Sequence, residues 1–340
     1  MAPQSLGRIA DDPHRIMSRS STTPAHAPAP APMIATMPSA ATEPADAGAE
    51  ILADVEIRVL MEAIYLRYQH DFRAYAPGLL RRRMAQAMAQ MGYRRMADLQ
   101  HALLREPPVF ARLLQYLTVQ VSEMFRDPAY FRALREEVLP QLSTWPSLKV
   151  WVAGCSHGEE VWSMAILLHE AGLLDRTILY ATDINPQALQ RAEDGVFPRD
   201  RAALFSRNYL ASGGKGSLSD YYTCAYDAIA FDRSLRRQIT FADHSLATDA
   251  VFSEVHLVSC RNVLIYFTPA LQDRSIGLFR DALVRGGFLG LGSRETLQFS
   301  THAGAFEPLD AQADVKLYRR LPEAVIAKSS RRRTSSWTTQ

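Results

Sequence analysis

Cysteine is scarce in this chain of 340 residues, and long apolar runs are absent. The three cysteines, Cys155, Cys224 and Cys260, lie far apart and form no CxxC pair, which disfavours a disulfide scaffold or a zinc ribbon and fits a reducing compartment. No apolar run approaches the ~20 residues that span a bilayer, and Asp11 and Asp12 stand where a signal peptide needs an apolar stretch. We therefore expect a cytoplasmic chain with no direct membrane insertion.

A large excess of charge of either sign is also missing. Lys and Arg total 38 against 36 for Asp and Glu, a formal net charge of +2, so bulk charge does not indicate nucleic-acid binding. The sequence has no Walker phosphate loop, no GxSxG nucleophile elbow and no zinc-ligand spacing among its histidines. These absences disfavour NTP hydrolysis, serine-hydrolase chemistry and a metal site.

Aromatic residues are missing from the beginning of the chain. The first is Tyr65, and eight of the 19 prolines lie within the first 50 residues. Such a segment cannot continue a helix and buries little apolar area, so we predict a disordered Ala/Pro-rich tail over 1–50. A second disordered tail, basic and polar, is predicted over 326–340.

The remaining sequence divides into two regions. Residues 51–140 place apolar side chains such as Ile57 and Ile64 at helical spacing and contain no convincing strand, which predicts a small all-α domain. From 141 to 325, short buried strands alternate with helices, and this alternation fails over about 196–242. The pattern predicts an α/β fold with a parallel sheet and an inserted small β-subdomain.

Polar side chains follow three of the predicted strands. Glu159 follows the first strand, Asp183 ends the second, and the pair Arg261-Asn262 follows a third. Ligands of open parallel sheets bind beyond the carboxyl ends of the strands, so a sheet enzyme with an adenosine-containing cofactor is the function class that remains. Two interpretations of Asp183 stay open: a ribose-binding carboxylate, or a turn or N-cap residue before Pro186.

Several longer motifs occur in order along the chain. They are Ser122-Glu-Met-Phe-Arg-Asp-Pro-Ala-Tyr-Phe131, Val150-Trp-Val-Ala-Gly-Cys-Ser-His-Gly-Glu-Glu160, Ala181-Thr-Asp-Ile184, Ser259-Cys-Arg-Asn-Val-Leu-Ile-Tyr-Phe267 and Leu291-Gly-Ser-Arg-Glu295. Together they resemble the chemotaxis receptor methyltransferases, the CheR family, over about 55–320. The resemblance implies a Rossmann-like class I S-adenosylmethionine (SAM) methyltransferase domain with an inserted small β-subdomain, preceded by a small all-α domain.

The resemblance also implies an activity and a site. Glutamate side chains on the cytoplasmic helical region of methyl-accepting chemotaxis receptors would be esterified, with S-adenosylhomocysteine (SAH) as the product. By position, the implied cofactor contacts are Gln120, Ser122, Arg126, Glu159, Asp183, Ser245, Leu246, Asn262 and Val263. The chain departs from the family at three of them, because Gln120, Ser122 and Ser245 stand where the family more often has Asn, Thr and Asn.

A carboxylate is already ionised at pH 7, so in-line attack on a sulfonium methyl group requires positioning and exclusion of water rather than a strong base. We expect Arg126 and Tyr266 to orient the substrate carboxylate as catalytic residues. Glu159 would face the amino group or the positive charge of the methionine portion of the cofactor, and Asp183 would hold the ribose. Five arginines of the all-α domain are predicted to steer an acidic receptor helix: Arg81, Arg82, Arg83, Arg94 and Arg95.

Two alternatives stay open. One is a regulatory or scaffolding protein of the same fold that binds SAM or SAH without turnover; the departures from the family pattern support it, and retention of Arg126 and Tyr266 argues against it. The other is a Rossmann oxidoreductase, which the missing GxGxxG motif disfavours.

Overall fold

The computed structural model describes residues 44–309 and 314–322, and its first part is helical. The first four helices are α1 (Pro44–Tyr68), α2 (Pro77–Met91), α3 (Met96–Arg105) and α4 (Pro107–Leu117). Their apolar faces form one cluster in which Leu60, Phe72, Leu99 and Leu113 are fully buried. The predicted all-α fold of this part of the chain is confirmed.

Helix α1 begins earlier than the sequence indicated. Proline is favoured in the first turn of a helix, where its missing N–H costs no hydrogen bond, and the alanines after Pro44 have high helix propensity. The predicted tail over 1–50 is therefore wrong for 44–50. Residues 1–43 and the basic segment 326–340 lie outside the described residues.

Three short helical segments connect the first cluster with the sheet: α5 (Pro128–Ala133), a π-helical stretch (Leu134–Val138) and α6 (Leu139–Leu142). Their apolar side chains, among them Phe131 and Val138, pack with the sheet and not with α1–α4. Hydrophobic packing therefore changes after Leu117, well before the helical sequence ends. The domain boundary predicted at 140 lies near the end of the helical sequence, whereas the change in packing occurs after Leu117.

Ten strands form two sheets. They are β1 (Leu148–Ala153), β2 (Thr177–Asp183), β3 (Val196–Pro198), β4 (Tyr222–Ala225), β5 (Ala228–Phe231), β6 (Ile239–Asp243), β7 (Val255–Cys260), β8 (Leu283–Leu291), β9 (Phe306–Pro308) and β10 (Lys316–Arg320). The large sheet has the order β6-β2-β1-β7-β8-β10-β9, and the small one β3-β5-β4. In the large sheet β6, β2, β1, β7 and β8 are parallel, whereas β10 and β9 are antiparallel additions. The predicted α/β class is confirmed.

Helices cover both faces of the large sheet. They are α7 (Glu159–Glu170), α8 (Pro186–Asp194), α9 (Ala202–Ala211), α10 (Arg233–Arg236) and α11 (Pro269–Ala282). Successive side chains of β1 point to opposite faces. Val152 packs in the cluster that holds Trp162 of α7, and Trp151 packs in the cluster that holds Phe279 of α11. The sheet is thus buried between two apolar layers.

The small antiparallel sheet is the predicted β-subdomain, but its limits differ from the prediction. Strand β6 lies within the predicted insertion of about 196–242, yet it pairs in parallel with β2, from Leu179↔Ile239 to Asp183↔Asp243. An edge strand has one hydrogen-bonded neighbour and a partly solvated face, so its sequence carries a weak apolar signal. The insertion therefore ends before Ile239.

The strand order places the carboxyl ends of three strands side by side. Strand β1 lies between β2 and β7, and the chain order reverses at this point, which is where open α/β sheets bind ligands. None of the helices in the described part of the chain combines the length and the apolar character that a bilayer crossing requires.

Candidate functional site

A cleft opens at the carboxyl ends of β1 and β7, against the segment that connects α4 with α5. Its empty space, including solvent at the mouth, is about 690 Å³. Five of the predicted site residues line it: Ser122, Arg126, Asn262, Val263 and Tyr266. Gln120, Glu159, Asp183, Ser245 and Leu246 are not among the lining residues. The structure thus brings three separate segments of the chain to one cleft.

Two glycines shape the turn between β1 and α7. Gly154 and Gly158 have φ values of +73° and +94°, which other residues adopt at a cost. A Cβ atom at Gly154 would lie 2.5 Å from a methyl carbon of Val263, and one at Gly158 would lie 2.8 Å from the Cα atom of Ala192. Side chains at these positions would force the cleft wall and α8 to move.

Asp183 lies beside this turn and is 8% exposed. Its Oδ2 accepts the N–H of Ser156 at 2.9 Å and its Oδ1 accepts the N–H of Asn185 at 3.0 Å. Burial raises the pKa of the Asp183 carboxyl, while backbone N–H groups and the Gln120 side chain oppose the rise. The residue that caps α8 is Asn185, so the N-cap interpretation of Asp183 is wrong.

Glu159 begins α7 and is almost fully buried, at 1% exposure. Its Oε1 accepts a hydrogen bond from Arg201 at 2.7 Å, and its Oε2 is buried without a hydrogen-bond partner in the described structure. Gln120 Oε1 and Ser156 Oγ are likewise buried without a partner. Buried polar atoms normally have partners, so three unpaired oxygens on neighbouring segments indicate a ligand with hydrogen-bond donors. These oxygen acceptors fit the amino group and hydroxyl groups of SAM.

Arg126 stands between two residues in the left-handed conformation. Phe125 has φ 50° and Asp127 has φ 54°, a backbone state that costs about 1–3 kcal/mol for residues other than glycine. The N–H of Phe125 donates to Ser163 Oγ at 2.9 Å, and Asp127 pairs with Arg261 at 2.6 Å. Contacts on both sides therefore hold the Arg126 backbone at the mouth of the cleft.

Arg261 organises this wall of the cleft. Its guanidinium is buried, pairs with Glu160 at 3.1 Å as well as with Asp127, and donates to the carbonyl oxygen of Arg126 at 2.9 Å. It also lies 4.2 Å from the centre of the Tyr130 ring. The sequence indicated that Arg261 needs partners, and the structure supplies them from α7 and from the start of α5.

Tyr266 lies in a short 3-10 helix that follows the β7 loop. Burial raises the pKa of its phenol, and the positive charges of Arg126, Arg83 and Arg82 oppose the rise. The hydroxyl is therefore protonated at neutral pH and can donate a hydrogen bond. The same charges show that two arginines of α2 lie near the predicted catalytic pair.

Glu295 is a site residue whose role sequence reasoning missed. Its carboxylate accepts four backbone N–H groups, those of Gly292, Asn262, Val263 and Leu264, at 2.6, 3.1, 2.9 and 2.8 Å. Burial raises its pKa, and these four donors oppose the rise. The bonds fix the loop that carries Asn262 and Val263 against the end of β8. Glu295 lies in one of the motifs that resemble the family. Its hydrogen bond to a residue 33 positions away, however, leaves no local signal in the sequence.

Ser245 and Leu246 follow β6, whose carboxyl end is paired with that of β2. Ser245 Oγ accepts the N–H of Ala247 at 3.3 Å, and its own N–H donates to Asp249 at 2.9 Å. Leu246 is buried at 6% exposure. The two residues thus form a turn beyond Asp183, on the side of the sheet away from β7.

The five predicted receptor-binding arginines have different surroundings. Arg81, Arg82 and Arg83 lie on α2, whereas Arg94 and Arg95 lie between α2 and α3. Arg81 pairs with Asp54 at 3.0 Å, and Arg95 pairs with Asp98 at 2.5 Å on the exposed surface. Exposed pairs of this kind contribute little stability and leave the arginines accessible to a partner.

Comparisons with known proteins agree on one family. A model of the CheR methyltransferase SAM-binding domain matches residues 120–315, and a model of the CheR all-alpha domain matches residues 56–118. A Pseudomonas putida protein named "Putative methyltransferase Cher3" is 56% identical over 256 residues, which cover 75% of this chain and 94% of that protein. A chemotaxis protein methyltransferase of Listeria monocytogenes is 29% identical over 67% of this chain and 84% of its own length.

Solved structures give a weaker likeness. The N-methyltransferase NodS of Bradyrhizobium japonicum, in complex with SAH, is 14% identical and covers 66% of this chain and 97% of its own, with a TM-score of 0.34.

Proposed function

Because the chain belongs to the CheR methyltransferase family and uses SAM as its cofactor, we propose that it esterifies glutamate side chains of chemotaxis receptors. The observation that carries this proposal is the cleft itself, where Arg126 and Tyr266 stand with Ser122, Asn262 and Val263. Relatives named chemotaxis protein methyltransferases support the receptor as substrate. Receptor signalling helices are cytoplasmic, so the cytoplasm is the proposed place of action.

Two buried acids hold the cofactor in this proposal. When bound, SAM supplies an electrophilic methyl group on a positively charged sulfur. The unpaired Oε2 of Glu159 accepts from its ammonium group, and Asp183 accepts from the ribose hydroxyls. Ser245 and Leu246 follow the strand next to Asp183, where they would lie on the adenine side of the cofactor.

Arg126 and Tyr266 act on the substrate carboxylate. Arg126 provides a positive charge and Tyr266 a hydroxyl donor at the same cleft, so together they orient one carboxylate oxygen toward the methyl group. Neither residue needs to remove a proton, because the glutamate is already ionised at pH 7. Their contribution is orientation and exclusion of water, which fits their rigid attachment through Arg261 and Glu295.

The arginines of α2 are proposed to guide the receptor. Their charges act on the Tyr266 phenol at the cleft, which supports an approach of an acidic helix along α2. Positive charge at this position raises the rate of encounter with an acidic partner more than it changes the chemical step.

A pair of measurements on Arg126→Ala tests the catalytic assignment. We expect kcat with a receptor fragment to fall by about 100-fold, since misplacement of the reacting groups has costs of this order. The Kd for SAH, measured by calorimetry, should change much less. Arg112→Ala, an exposed position on α4, is the matched control. A wild-type kcat in Arg126→Ala at saturating substrates would remove Arg126 from the catalytic role.

A further inference from the structure

Arg201 connects the region of the small sheet with two segments of the predicted cofactor site. It ends the 3-10 helix that follows β3. One guanidinium nitrogen donates to Glu159 Oε1 at 2.7 Å, and the other donates to the carbonyl oxygen of Ser122. The Arg201 side chain is 30% exposed, whereas that of Glu159 is 1% exposed. A single partly exposed arginine thus contacts the first residue of α7 and the segment after α4.

The position of Arg201 is fixed by its own surroundings. Its guanidinium carbon lies 4.7 Å from the centre of the Phe205 ring on α9. The N–H of Arg199, at the start of the same 3-10 helix, donates to the carbonyl oxygen of Asp227 in the β4–β5 turn at 2.9 Å. Contacts with α9 and the β4–β5 turn therefore hold the Arg201 segment so that its planar guanidinium reaches Glu159.

The two oxygens of Glu159 have unequal surroundings. Oε1 is paired with Arg201, and Oε2 is buried with no hydrogen-bond partner in the described structure. A buried carboxylate without a nearby cation is strongly disfavoured, and Arg201 provides the positive charge beside Glu159. The same bond fixes the rotation of the carboxylate and leaves Oε2 for a cationic donor.

We propose that Arg201 is a positioning residue of the cofactor site, which holds the Glu159 carboxylate in the orientation that receives the amino-acid end of SAM. The proposal rests on the proposed function, which assigns Glu159 to the cofactor. Arg201 belongs neither to the motifs that resemble the family nor to the predicted cofactor contacts. Arg201 acts through Glu159, so its effect must depend on that carboxylate.

Calorimetric titration of the full chain with SAH tests this role. Arg201→Met keeps an unbranched apolar stem but removes the charge and both donors, so we expect the Kd for SAH to rise at least about tenfold, equivalent to 1.4 kcal/mol. Arg201→Lys retains the charge and should recover part of the loss. Arg207→Met, an exposed position on α9, should bind SAH as the wild type does. Wild-type affinity in Arg201→Met would overturn the proposal, as would equal losses in Arg201→Met and Arg207→Met.

A double-mutant cycle separates positioning from a general structural effect. If Arg201 acts through Glu159, Arg201→Met should cause little further loss in a Glu159→Gln background. Additive losses would contradict the proposal. Unchanged affinity in Glu159→Gln alone would remove Glu159 from the cofactor site and overturn the proposal with it. Methyl transfer by the wild-type chain is measured separately, so that result would leave the proposed activity standing.

Discussion

At the scale of the residue, the site depends on buried acids that differ in their hydrogen-bond partners. Asp183 and Glu295 both have pKa values raised by burial and opposed by backbone N–H donors. Asp183 stands beside unpaired oxygens of Gln120 and Ser156, which indicates a ligand position. The two carboxylate oxygens of Glu295 accept hydrogen bonds from four backbone N–H groups, so this side chain holds the loop after β7 in place.

The first residue-scale prediction concerns Asp183. Asp183→Asn should weaken SAH binding by about 1.5–3 kcal/mol, the range for hydrogen bonds to charged groups. Calorimetry at neutral pH measures this loss. Asp175→Asn changes the same charge at an exposed position and should bind SAH as the wild type does. Equal affinity of Asp183→Asn and the wild type would exclude Asp183 from the site.

The raised pKa of Asp183 predicts that the affinity for SAH depends on pH. Because burial raises its pKa above the ordinary 3.8, the carboxyl becomes protonated at a higher pH than a surface aspartate does. Protonation removes an acceptor for the ribose, so SAH affinity should fall as pH falls through the raised pKa. Tyr75 and Cys155 face Asp183, and their own raised pKa values keep them neutral in this range. Asp183→Asn should lack this fall; an unchanged pH profile in the variant would contradict the assignment.

Glu295 carries a prediction about stability. In Glu295→Gln the amide nitrogen would face two of the four backbone N–H groups, so at least one buried donor loses its acceptor. Each such loss costs about 1–3 kcal/mol, and the free energy of unfolding in urea should fall by that order. Glu307→Gln, an exposed position on β9, provides the comparison. A variant as stable as the wild type would show that the loop does not depend on this carboxylate.

Sequence reasoning found Asp183, Glu159 and Arg261 because each lies at the end of a strand or shortly after it, where a local pattern is visible. It did not find the roles of Arg201 and Glu295. These side chains reach partners 42 and about 30 residues away along the chain, and such pairings exist only after the strands have assembled.

At the scale of the element, the residues just before α2 are bonded directly to the segment after β7. The N–H of Ala76 donates to the carbonyl oxygen of Tyr266 at 2.9 Å, and Tyr75 forms a β-bridge with Phe267. The α2 arginines are therefore attached to the same wall that carries Tyr266.

This arrangement predicts different effects for two pairs of arginines. Reversal of Arg82 and Arg83 to Glu should lower kcat/KM for a receptor fragment and flatten its decrease with salt, because these charges act near Tyr266. The matched variant reverses Arg94 and Arg95, with the same change in net charge, and should have the smaller effect. The Kd for SAH should not change in either. If the salt dependence of the Arg82/Arg83 variant equals that of the wild type, the α2 arginines do not steer the receptor.

Element boundaries were predictable wherever a local signal marked them. Strand β2 ends at Asp183, as the sequence indicated. The pairing of β6 with the large sheet was not predicted, because an edge strand needs only one apolar face and its sequence signal is weak. The start of α1 was missed because proline at 44 indicates a break in the sequence but is equally suited to a first helical turn.

At the scale of the whole molecule, the cleft unites both packed regions of the chain. The helical cluster contributes Tyr75 and Leu117, the connecting segment contributes Ser122 and Arg126, and the sheet contributes the remaining walls. The sequence predicted each region from its own periodicity. It did not predict that α5 packs with the sheet, because that assignment depends on tertiary contacts rather than on helical pattern.

Residues 1–43 should contribute nothing to the stability of this assembly. They hold seven of the 19 prolines, contain no aromatic residue and show no periodic apolar pattern. A chain beginning at Pro44 should have the same thermal midpoint and the same Kd for SAH as the full chain. A clear drop in either quantity would show that the segment takes part in the fold or the site.

The central claim is transfer of a methyl group to a receptor glutamate, and one assay measures it directly. The full chain is incubated with methyl-labelled SAM and a receptor fragment, and the fragment is then treated with alkali. Our account predicts that alkali releases the label as volatile methanol, and that a fragment with its exposed glutamates replaced by alanine takes up none. Alkali-stable label, or no transfer by a chain that binds SAH, would contradict glutamate esterification.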